Sequence, residues 1–345
     1  MDNFAFVIHP LNPKRDVARK YPLLAKVLPR SWIHFLSRFW PPVYLSHVTG
    51  VRSEATGADG GHSKEIEGWL VACPFTTRQI LRLPPRTVYN KIVETGRLAQ
   101  KLGARILGLG AFTSAVGDGG VTIARRLGMP VTTGHSLTVA VVLEALERAA
   151  RSRNVQLESS GVAVVGATGS IGSACAELLA PRAAELTLVG RHESRLAEVE
   201  ARVREAGARR VRLSTRVGDI HQVPLVLSAT NAARPIIQPE DLGRGAIVCD
   251  VALPPDVSPR VVQERADVLV VDGGMMDVPG EVDFGFDFGL PPGNAYACLA
   301  EPMVLALEGR YESYSLGKRI QIDQVRTIAQ LARKHGFKVS VSGQL

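Results

Sequence analysis

The chain has 345 residues, 46% of them hydrophobic and 21% charged, so it is long enough to form two globular domains with buried cores. Its formal net charge of +8 favours acidic partners such as a phosphorylated cofactor, an acidic carrier protein or an anionic surface. Nucleic acid is not expected as a partner, because the basic residues are scattered and no aromatic-basic recognition motif accompanies them.

No apolar run is long enough to span a bilayer, and the short apolar segment Phe4–Ile8 is not followed by a cleavage-like segment. A cytoplasmic location is therefore expected, with association with a membrane left open. The cysteines Cys73, Cys175, Cys249 and Cys298 show none of the close paired spacings typical of zinc sites or redox pairs. The sequence predicts neither a metal site nor a disulfide framework.

The first element in chain order is the stretch RSWIHFLSRFWPP from Arg30, whose apolar residues have helical spacing. These apolar residues are Trp32, Phe35, Leu36 and Phe39, and Arg38 lies beside them. One interpretation is a lid or interfacial patch for lipid chains, because aromatic and basic residues together suit a peripheral contact with a membrane. The other interpretation is an ordinary core or dimer contact.

Two further elements precede the middle of the chain. The segment Val51–Gly68 is rich in glycine, serine and charged residues, which predicts an exposed loop or hairpin. The run Ser136–Asn154 has the spacing of an amphipathic helix, and we expect it to lead from an N-terminal domain into the next domain.

The middle of the chain alternates between apolar runs and helical patterns. From Gly161, the run GVAVV is followed by glycines and by the helical SACAELLA, which stops at Pro181. The further apolar runs are ELTLVG, RRVRLS, PLVLSAT, GAIVCDVALP and ADVLVVDGG, and the helical ESRLAEVEARVREAG separates the first two. This alternation predicts a parallel sheet wound with helices, in one domain of about Gly161 to Gly274.

The tail Ala295–Leu345 contains two more helical stretches and is too short to fold alone, so we expect it to pack onto the N-terminal domain. The predicted fold class is α/β, with a Rossmann-like parallel-sheet domain inserted into a split α/β catalytic domain. The predicted boundaries are residues 155–289 for the cofactor-binding sheet domain, and residues 1–154 with 290–345 for the catalytic, substrate-binding domain.

The glycine-rich segment GATGSIG, Gly166 to Gly172, lies directly after a predicted strand and opens a predicted helix, as a dinucleotide-binding loop requires. Backbone N–H groups at the helix N-terminus can face a pyrophosphate, and the missing side chains let the phosphates come close. Because the spacing is G-x-x-G-x-x-G rather than G-x-G-x-x-G, a tight strand–helix turn without a ligand is the alternative.

After the second strand of this domain, Gly190 and Arg191 stand where an NAD-specific fold carries an acidic residue for the ribose hydroxyls. A carboxylate would repel a 2′-phosphate, whereas Arg191 should attract one, so the sequence predicts NADPH; the alternative is a solvated surface arginine. The segment SATNA, from Ser228, is expected beside the nicotinamide half. The candidate cofactor-binding residues are Gly166, Thr168, Gly169, Ser170, Ile171, Gly172, Arg191, Ala229, Thr230 and Asn231.

Cys298 follows the stop-and-start run Pro291–Asn294, which places it in the first turns of a helix that ends at Gly309. A helix N-terminus lowers the pKa of a thiol, so we expect more thiolate than the about 3% that a free cysteine has at pH 7. Pro302 has no N–H for the carbonyl of Cys298, so the helix is expected to start near Glu301 or to kink there. The alternative is that Cys298 is a small buried hydrophobe.

The remaining cysteines are interpreted from the elements that contain them. Cys175 falls inside a predicted helix and Cys249 inside a predicted strand, which indicates core positions. The role of Cys73 is left open.

Four segments together resemble one known family: GAFTS at Gly110, TTGHS at Thr132, GATGSIGSAC at Gly166 and, most specifically, AYACLAEPMVLALEG around Cys298. They are similar to the long-chain acyl-(acyl carrier protein) reductases of the cyanobacterial type, and the resemblance extends over most of the chain. It implies an NADPH-dependent reduction of a fatty acyl thioester, carried by acyl carrier protein or coenzyme A, to the aldehyde. It also implies an acyl-enzyme on Cys298 and, as a further partner, an enzyme that consumes the aldehyde.

The implied tetrahedral stages carry an oxyanion that needs hydrogen-bond donors from the GAFTS and TTGHS segments. The candidate substrate and oxyanion residues are Phe112, Thr113, Ser114, Thr133, His135 and Ser136. The segment TTGHSLT departs from the family pattern T-T-G-N-x-H-T, because His135 stands at the asparagine position and Leu137 at the histidine position. His135 is therefore either an acid/base group or a cap at the start of the long helix.

Two other functions remain open from the sequence. The first is a ketone or alcohol dehydrogenase of the shikimate-dehydrogenase kind, which has a similar split domain, uses NADP and needs no thiol. The lysine–aspartate pair of that family cannot be placed in this sequence. The second is a catalytically inactive nucleotide-binding or scaffold protein that has kept the cofactor site.

Overall fold

The computed structural model describes residues 1–12, 14–16, 26, 29–55 and 63–340. The chain divides into two compact units. Unit 1 comprises Met1–Gly134, Asp277–Gly317 and Gln330–Lys338. Unit 2 comprises His135–Met276, Lys318–Ala329 and the chain end from Val339.

Short strands alternate with helices along most of the chain. The strands in the described part of the chain are β1 (Asn3–Ile8), β2 (Val43–Arg52), β3 (Glu65–Ala72), β4 (Leu107–Leu109), β5 (Val131–Thr132), β6 (Gly161–Val165), β7 (Glu185–Val189), β8 (Val211–Ser214), β9 (Leu225–Ser228), β10 (Ile247–Asp250), β11 (Leu269–Asp272), β12 (Met275–Asp277), β13 (Asn294–Tyr296) and β14 (Lys338–Val339). The helices that lie wholly within it are α1 (Arg30–Leu36), α2 (Thr77–Arg82), α3 (Pro85–Lys101), α4 (Phe112–Ala115), α5 (Val121–Leu127), α6 (His135–Ser152), α7 (Ser170–Leu179), α8 (Glu193–Glu205), α9 (Pro259–Glu264), α10 (Ala297–Glu308) and α11 (Ile322–Lys334).

Unit 1 is built on a five-stranded sheet in the order β2-β3-β1-β4-β5. Strand β1 is parallel to β3 and β4, and β4 is parallel to β5, so these four strands end at one edge. Strand β2 is antiparallel to β3, which confirms the predicted hairpin. The tip of that hairpin, residues 56–62, lies outside the described residues.

Helices cover both faces of the sheet in unit 1. Leu107 on β4 points into a buried cluster with Ile92 of α3 and Leu127 of α5. Because side chains alternate along a strand, the next residue, Gly108, faces the other side, where a Cβ would lie only 2.8 Å from Cγ of Pro302. The helix that carries Pro302, α10, therefore lies directly on β4, and the absence of a side chain at position 108 permits this close contact.

Unit 2 is built on a six-stranded sheet in the order β11-β10-β9-β6-β7-β8, and all of its strand pairs are parallel. Numbered from β6 as the first strand, this order is 6-5-4-1-2-3, which is the order of dinucleotide-binding sheets read from the opposite edge. All six apolar runs that were predicted as strands form this sheet. The predicted fold class, a Rossmann-like domain inserted into a split α/β domain, is confirmed.

The boundaries of the two units differ from the sequence prediction. Helix α6 belongs to unit 2 and not to the N-terminal domain, because its apolar face packs against β9, β10 and β11. The first boundary therefore moves from residue 154 to Gly134. In the second half, Asp277–Gly317 belongs to unit 1, whereas Lys318–Ala329 belongs to unit 2. None of the helices in the described ranges has the length and apolar character needed to cross a membrane.

We predict that Leu107→Ala lowers the free energy of unfolding by about 2–5 kcal/mol, because it leaves a cavity between the sheet and two helices. Leu81→Ala is the matched control, since Leu107 is 0% exposed and Leu81 is 51% exposed. A change below about 0.5 kcal/mol is expected for the control. Urea unfolding followed by circular dichroism measures both values, and equal effects of the two substitutions would contradict the assigned core.

Candidate active site

Cys298 lies in the first turn of α10, which starts at Ala297 and continues through Pro302 to Glu308. The predicted position in the first turn is confirmed, and the predicted late start at Glu301 is wrong. The chain enters the helix from Tyr296, whose extended backbone forms the N-cap. Of the cysteines in the chain, Cys298 is the partly exposed one and the other three are buried.

The segment after β5 lies directly against the backbone of Cys298. A Cβ added at Gly134 would lie 2.3 Å from Cα and 2.5 Å from Cβ of Cys298, and the φ angle of Gly134 is +73°. Both the space and the backbone conformation therefore require glycine at position 134. Since β4 and β5 are parallel, this contact places the thiol at the edge where their carboxyl ends lie.

The turn after β4 presents one backbone N–H to the thiol. Ala111 has a φ angle of +46°, an unfavourable conformation for a residue with a side chain, and its N–H donates to the sulfur of Cys298. The neighbouring N–H groups have other acceptors. Those of Gly110, Phe112, Thr113 and Ser114 bond Val7 O, His9 Nε2, Gly110 O and Ala111 O, respectively. Within this turn, the N–H of Ala111 is thus the donor directed at Cys298.

The hydroxyl groups proposed as oxyanion donors are directed elsewhere. Thr113 and Ser114 donate to the carbonyls of Gly110 and Ala111 over 2.6 Å each, and Thr133 donates to the carbonyl of Ser315 over 2.5 Å. Short bonds to backbone carbonyls thus occupy these hydroxyl protons, and the role of the three residues as oxyanion donors stays a prediction. Phe112 is buried and packs edge-on against His9, with 5.8 Å between the ring centroids. Ser136 is fully buried at the start of α6.

The sequence analysis missed Glu301, a fully buried carboxylate one turn after Cys298. It accepts hydrogen bonds from the hydroxyls of Thr132 and, over 2.7 Å, Ser315. The hydroxyl of Thr132 also accepts the N–H of Gly134 over 3.2 Å, so Glu301 anchors the segment that lies against Cys298. One sign of this role was present in the sequence, since a glutamate inside the apolar run ACLAEPMVLAL needs buried hydrogen-bond donors.

The pKa of the Cys298 thiol is raised to about 12, first by burial of the sulfur and then by the nearby carboxylate of Glu301. The backbone N–H groups of Leu299 and Ala111 act in the opposite direction but are outweighed. The expected low pKa is therefore wrong, because removal of the thiolate from water costs more than the start of a helix contributes. Cys298 is a neutral thiol at pH 7 in the free protein.

The other cysteines are core residues, as predicted for Cys175 and Cys249. Burial raises the pKa of both thiols. Cys73, whose role was open, is also fully buried, and burial raises its pKa to about 11. The described residues contain no group of three or more His, Cys, Asp or Glu that could hold a metal ion.

In unit 2 the glycine loop occupies the carboxyl end of β6, beside the turn that follows β9. A Cβ on Gly166 would lie 2.4 Å from the carbonyl oxygen of Ala229, and a Cβ on Gly172 would lie 2.3 Å from that of Gly166. These two glycines thus bring the turns together, while Gly169 caps α7 and is exposed. Thr168, Ser170 and Ile171 of the same loop are partly exposed. The backbone at the start of α7 suits a pyrophosphate group.

Arg191 lies at the carboxyl end of β7, in the turn before α8, and it is exposed. Gly190 precedes it and packs against Thr168 of the glycine loop, where a Cβ would lie 3.0 Å from the threonine methyl. The second-strand turn and the glycine loop are therefore neighbours. An exposed guanidinium at this position is available to an anionic group of a ligand.

The sequence analysis also missed Asp256, which holds the turn after β9. Its fully buried carboxylate accepts hydrogen bonds from the hydroxyl of Ser228 at 2.7 Å and from the N–H and hydroxyl of Thr230 at 3.0 and 2.5 Å. Ala229 and Asn231 belong to the turn that these bonds position. Asp256 also acts on its neighbour Asp250, whose pKa is raised to about 7, mainly by burial.

His135 is the first residue of α6, and its ring contacts the glycine-loop helix. Its Nδ1 shares a 3.4 Å hydrogen bond with the hydroxyl of Ser170. Burial lowers the pKa of His135 to about 4, so the ring is neutral at pH 7. The low pKa makes the ring a poor proton donor at neutral pH, and the capping role of His135 stays a prediction.

A family model described as shikimate/quinate 5-dehydrogenase matches residues 147–273, which is most of unit 2. Aminotransferase PigE of a Serratia species is 33% identical over 291 residues. This match covers 83% of the chain but only 33% of the relative, so the chain spans about a third of the length of that protein. The long-chain acyl-[acyl-carrier-protein] reductase of Synechococcus elongatus is 26% identical over 87% of the chain and 89% of its own length.

Two solved structures each resemble a part of the chain. The yhdH oxidoreductase from Salmonella enterica, solved in complex with NADP, has a TM-score of 0.31 at 18% identity, over 41% of this chain and 44% of that one. The nucleotide-binding domain of glutamyl-tRNA reductase from Thermoplasma volcanium has a TM-score of 0.26 at 17% identity, over 40% and 86%. Because these TM-scores are low, the fold is assigned from the order of the strands and not from these structures.

We predict that iodoacetamide alkylates Cys298 slowly at pH 7, with a rate that rises about tenfold per pH unit up to pH 9, because the thiolate is the nucleophile. Glu301→Gln removes a negative charge that raises the pKa of the thiol, so alkylation at a fixed pH should be faster. Peptide mass spectrometry measures the rate, and the buried Cys175 is the internal control. A rate that levels off below pH 8 would contradict the raised pKa.

Proposed function

We propose that the protein is an NADPH-dependent reductase that converts a long-chain fatty acyl thioester into the fatty aldehyde through an acyl group on Cys298. The observation that carries this proposal is the position of Cys298: it is the partly exposed cysteine, in the first turn of α10, with Gly134 against its backbone and the N–H of Ala111 directed at its sulfur. The resemblance to the Synechococcus reductase along most of both chains supports the choice of substrate class.

In the first half-reaction, the sulfur of Cys298 attacks the carbonyl carbon of the incoming thioester. A carbon–sulfur bond to Cys298 forms, the bond to the carrier sulfur breaks, and the proton of Cys298 ends on the departing carrier thiol. The tetrahedral stage carries an oxyanion, for which the N–H of Ala111 is the candidate donor because it already points at the reacting sulfur. The carrier is acyl carrier protein or coenzyme A.

In the second half-reaction, addition of a hydride to the carbonyl carbon reduces the thioester on Cys298 to the anion of a hemithioacetal. NADPH, when bound to the glycine loop of unit 2, supplies the hydride for this step. The carbon–sulfur bond then breaks, the aldehyde leaves, and a proton from solvent returns the sulfur of Cys298 to the thiol. A thioester suits this sequence because it forms by exchange at little cost and accepts hydride more readily than an oxygen ester.

The raised pKa of Cys298 has a direct consequence for this mechanism. The resting thiol is neutral, so each turnover has to remove its proton, and acylation should become faster as the pH rises through the range below about 12. The backbone N–H groups of Ala111 and Leu299 favour the thiolate, so they lower the free energy needed to remove the proton, but the pKa remains above its usual value.

Residues at the carboxyl edge of the unit 2 sheet support NADPH as the cofactor. The three turns that would contact it follow β6, β7 and β9, and they contain the glycine loop, Arg191 and Thr230. Arg191 forms no ion pair with any described residue, and it stands where an NAD-specific fold places an acidic side chain. A 2′-phosphate would neutralise its charge.

The match of unit 2 to the shikimate/quinate 5-dehydrogenase model favours a second candidate, a dehydrogenase of ketones or alcohols that uses no covalent intermediate. That match ends at residue 273, before the segment with Cys298, so it supports the cofactor domain and not a substrate. A nucleotide-binding protein without activity is the third candidate. Acylation of Cys298 separates the first candidate from both others.

The Serratia relative supports an aldehyde-consuming enzyme as a partner. It is named an aminotransferase, and two thirds of its length lie outside the match to this chain. Transamination takes a carbonyl compound as substrate. The aldehyde formed by one unit could therefore be the substrate of an aminotransferase unit beside it. The aminotransferase activity itself is not proposed for this chain.

We predict that incubation with a palmitoyl thioester, without NADPH, adds the mass of one palmitoyl group to the wild type and not to Cys298→Ala. Cys175→Ala is the control, because Cys175 is buried in α7 and should leave acylation intact. Intact-protein mass spectrometry detects the adduct, which should form faster at pH 9 than at pH 7. No adduct from either the carrier-protein or the coenzyme A thioester would rule out the covalent mechanism.

We predict that Arg191→Asp lowers the preference for NADPH over NADH at least about tenfold, because it replaces a charge-assisted contact with a repulsion. Arg209→Asp makes the same charge change at another exposed position in unit 2 and serves as the control. Fluorescence titration with each nucleotide gives the two dissociation constants. An unchanged ratio in the first variant would mean that Arg191 does not contact the 2′-phosphate.

A further inference from the structure

The exposed apolar side chains of unit 1 are concentrated on one pair of short helices. Among the described residues, the large hydrophobic side chains classed as exposed are Met1, Trp32, Phe35, Phe39, Tyr44, Leu81 and Val262. Trp32, Phe35 and Phe39 come from α1 and the turn after it, at 58%, 61% and 68% exposure, and Leu81 comes from α2 at 51%. We call these four residues the aromatic surface. The core alternative is therefore wrong for Trp32, Phe35 and Phe39, whereas Leu36 is half-buried and the alternative of a dimer contact stays a prediction.

A hydrogen-bond network on the inner side of the two helices holds this surface in place. Thr76 and His34 share a 2.8 Å bond, and the amide of Gln79 donates to the carbonyl of His34 over 2.7 Å. The hydroxyl of Ser37 donates to the side-chain oxygen of Gln79 over 3.1 Å, and Ile33 of α1 is fully buried. The outward direction of the aromatic rings is thus set by a buried polar framework.

The two segments that carry the aromatic surface contain positively charged residues and no negatively charged ones. Residues 29–44 and 73–86 contain five arginines and no aspartate or glutamate. On α2, Arg78 and Arg82 are exposed on the same side as Leu81, and Arg38 is exposed beside Phe39. Burial lowers the pKa of His34, and the positive charges of Arg78 and Arg82 lower it further, so both guanidinium groups lie close to α1. Arg38, Arg78 and Arg82 form no ion pair within the described ranges.

We propose that the aromatic surface and its arginines dock the protein onto an anionic lipid bilayer as a peripheral contact. Tryptophan and phenylalanine favour the interface between lipid head groups and chains, where an apolar ring is buried without crossing the membrane. Arginine is attracted by the negative surface of the bilayer, and near that surface each cation strengthens binding about fivefold. An acidic carrier protein would also be attracted by the arginines. It would not explain the three exposed aromatic rings, because charge attraction alone does not require them.

The test measures co-sedimentation with vesicles, in the absence of substrate and cofactor, so its outcome is independent of the proposed reductase activity. Phosphatidylcholine vesicles with and without phosphatidylglycerol are compared at low and high salt. The wild type should bind the anionic vesicles, and high salt should weaken this binding. Phe35→Ser/Phe39→Ser should lose at least about tenfold in affinity. Val262→Ser, at an exposed valine of unit 2, is the apolar control and should bind like the wild type.

The contribution of charge is tested separately. Arg78→Ser/Arg82→Ser should weaken binding about 25-fold at low salt and reduce the salt dependence. Arg195→Ser/Arg209→Ser removes the same charge from exposed positions of unit 2 and is the control. If the phenylalanine variant does not fold, quenching of wild-type tryptophan fluorescence by lipids with brominated chains gives the same answer. Trp32 inserted below the head groups would be quenched.

Four outcomes would overturn the proposal: no binding of the wild type to anionic vesicles, equal binding by the phenylalanine variant, wild-type tryptophan fluorescence that brominated lipids leave unquenched, or equal losses in the variants and their controls. Two further results would replace the lipid by another partner. If the phenylalanine variant changes the oligomeric state in light scattering, the surface is a contact between copies of the chain. If it loses binding to an immobilised acyl carrier protein while vesicle binding is unchanged, the surface binds that protein.

Discussion

The position of the Cys298 thiol depends on one steric constraint, the direct contact between α10 and the sheet of unit 1. Gly108 admits Pro302, and Gly134 admits the backbone of Cys298, where a Cβ would come within 2.3 Å. Any larger residue at either position would push the helix away from the sheet. The same contact brings the N–H of Ala111 to the sulfur, so two strand ends and one helix start determine the surroundings of a single atom.

The electrostatics of this thiol result from opposing effects. The start of α10 and the backbone N–H groups of Leu299, Ala111 and Cys298 favour the thiolate, whereas burial and the carboxylate of Glu301 favour the neutral thiol and prevail. Glu301 also has a structural role, because its carboxylate accepts hydrogen bonds from Thr132 and Ser315. Through Thr132 it also positions Gly134. The carboxylate that positions the residues around Cys298 therefore also disfavours the thiolate form of Cys298. A thiol of this kind resists adventitious alkylation.

Much of the fold was predictable because its patterns are local. The six strands of unit 2 are short apolar runs between helices, and the glycine loop, Arg191 and Cys298 stand next to turns that the sequence marks with glycine or proline. The functions of Glu301 and Asp256 could not be predicted in the same way. Each carboxylate bonds partners far along the chain, Asp256 across 28 positions to Ser228 and Glu301 across 169 positions to Thr132.

By itself, the sequence determined the α/β class, the parallel sheet with its glycine loop, and the place of Cys298 in the first turn of a helix. These features follow from periodicity and from residues with special backbone properties, which act over a few positions. Only the tertiary structure decided that α6 belongs with unit 2, that the hydroxyls near the thiol are already bonded, and that the pKa of Cys298 rises. Burial and hydrogen-bond partners are properties of the packed chain, because they depend on residues that meet only after folding.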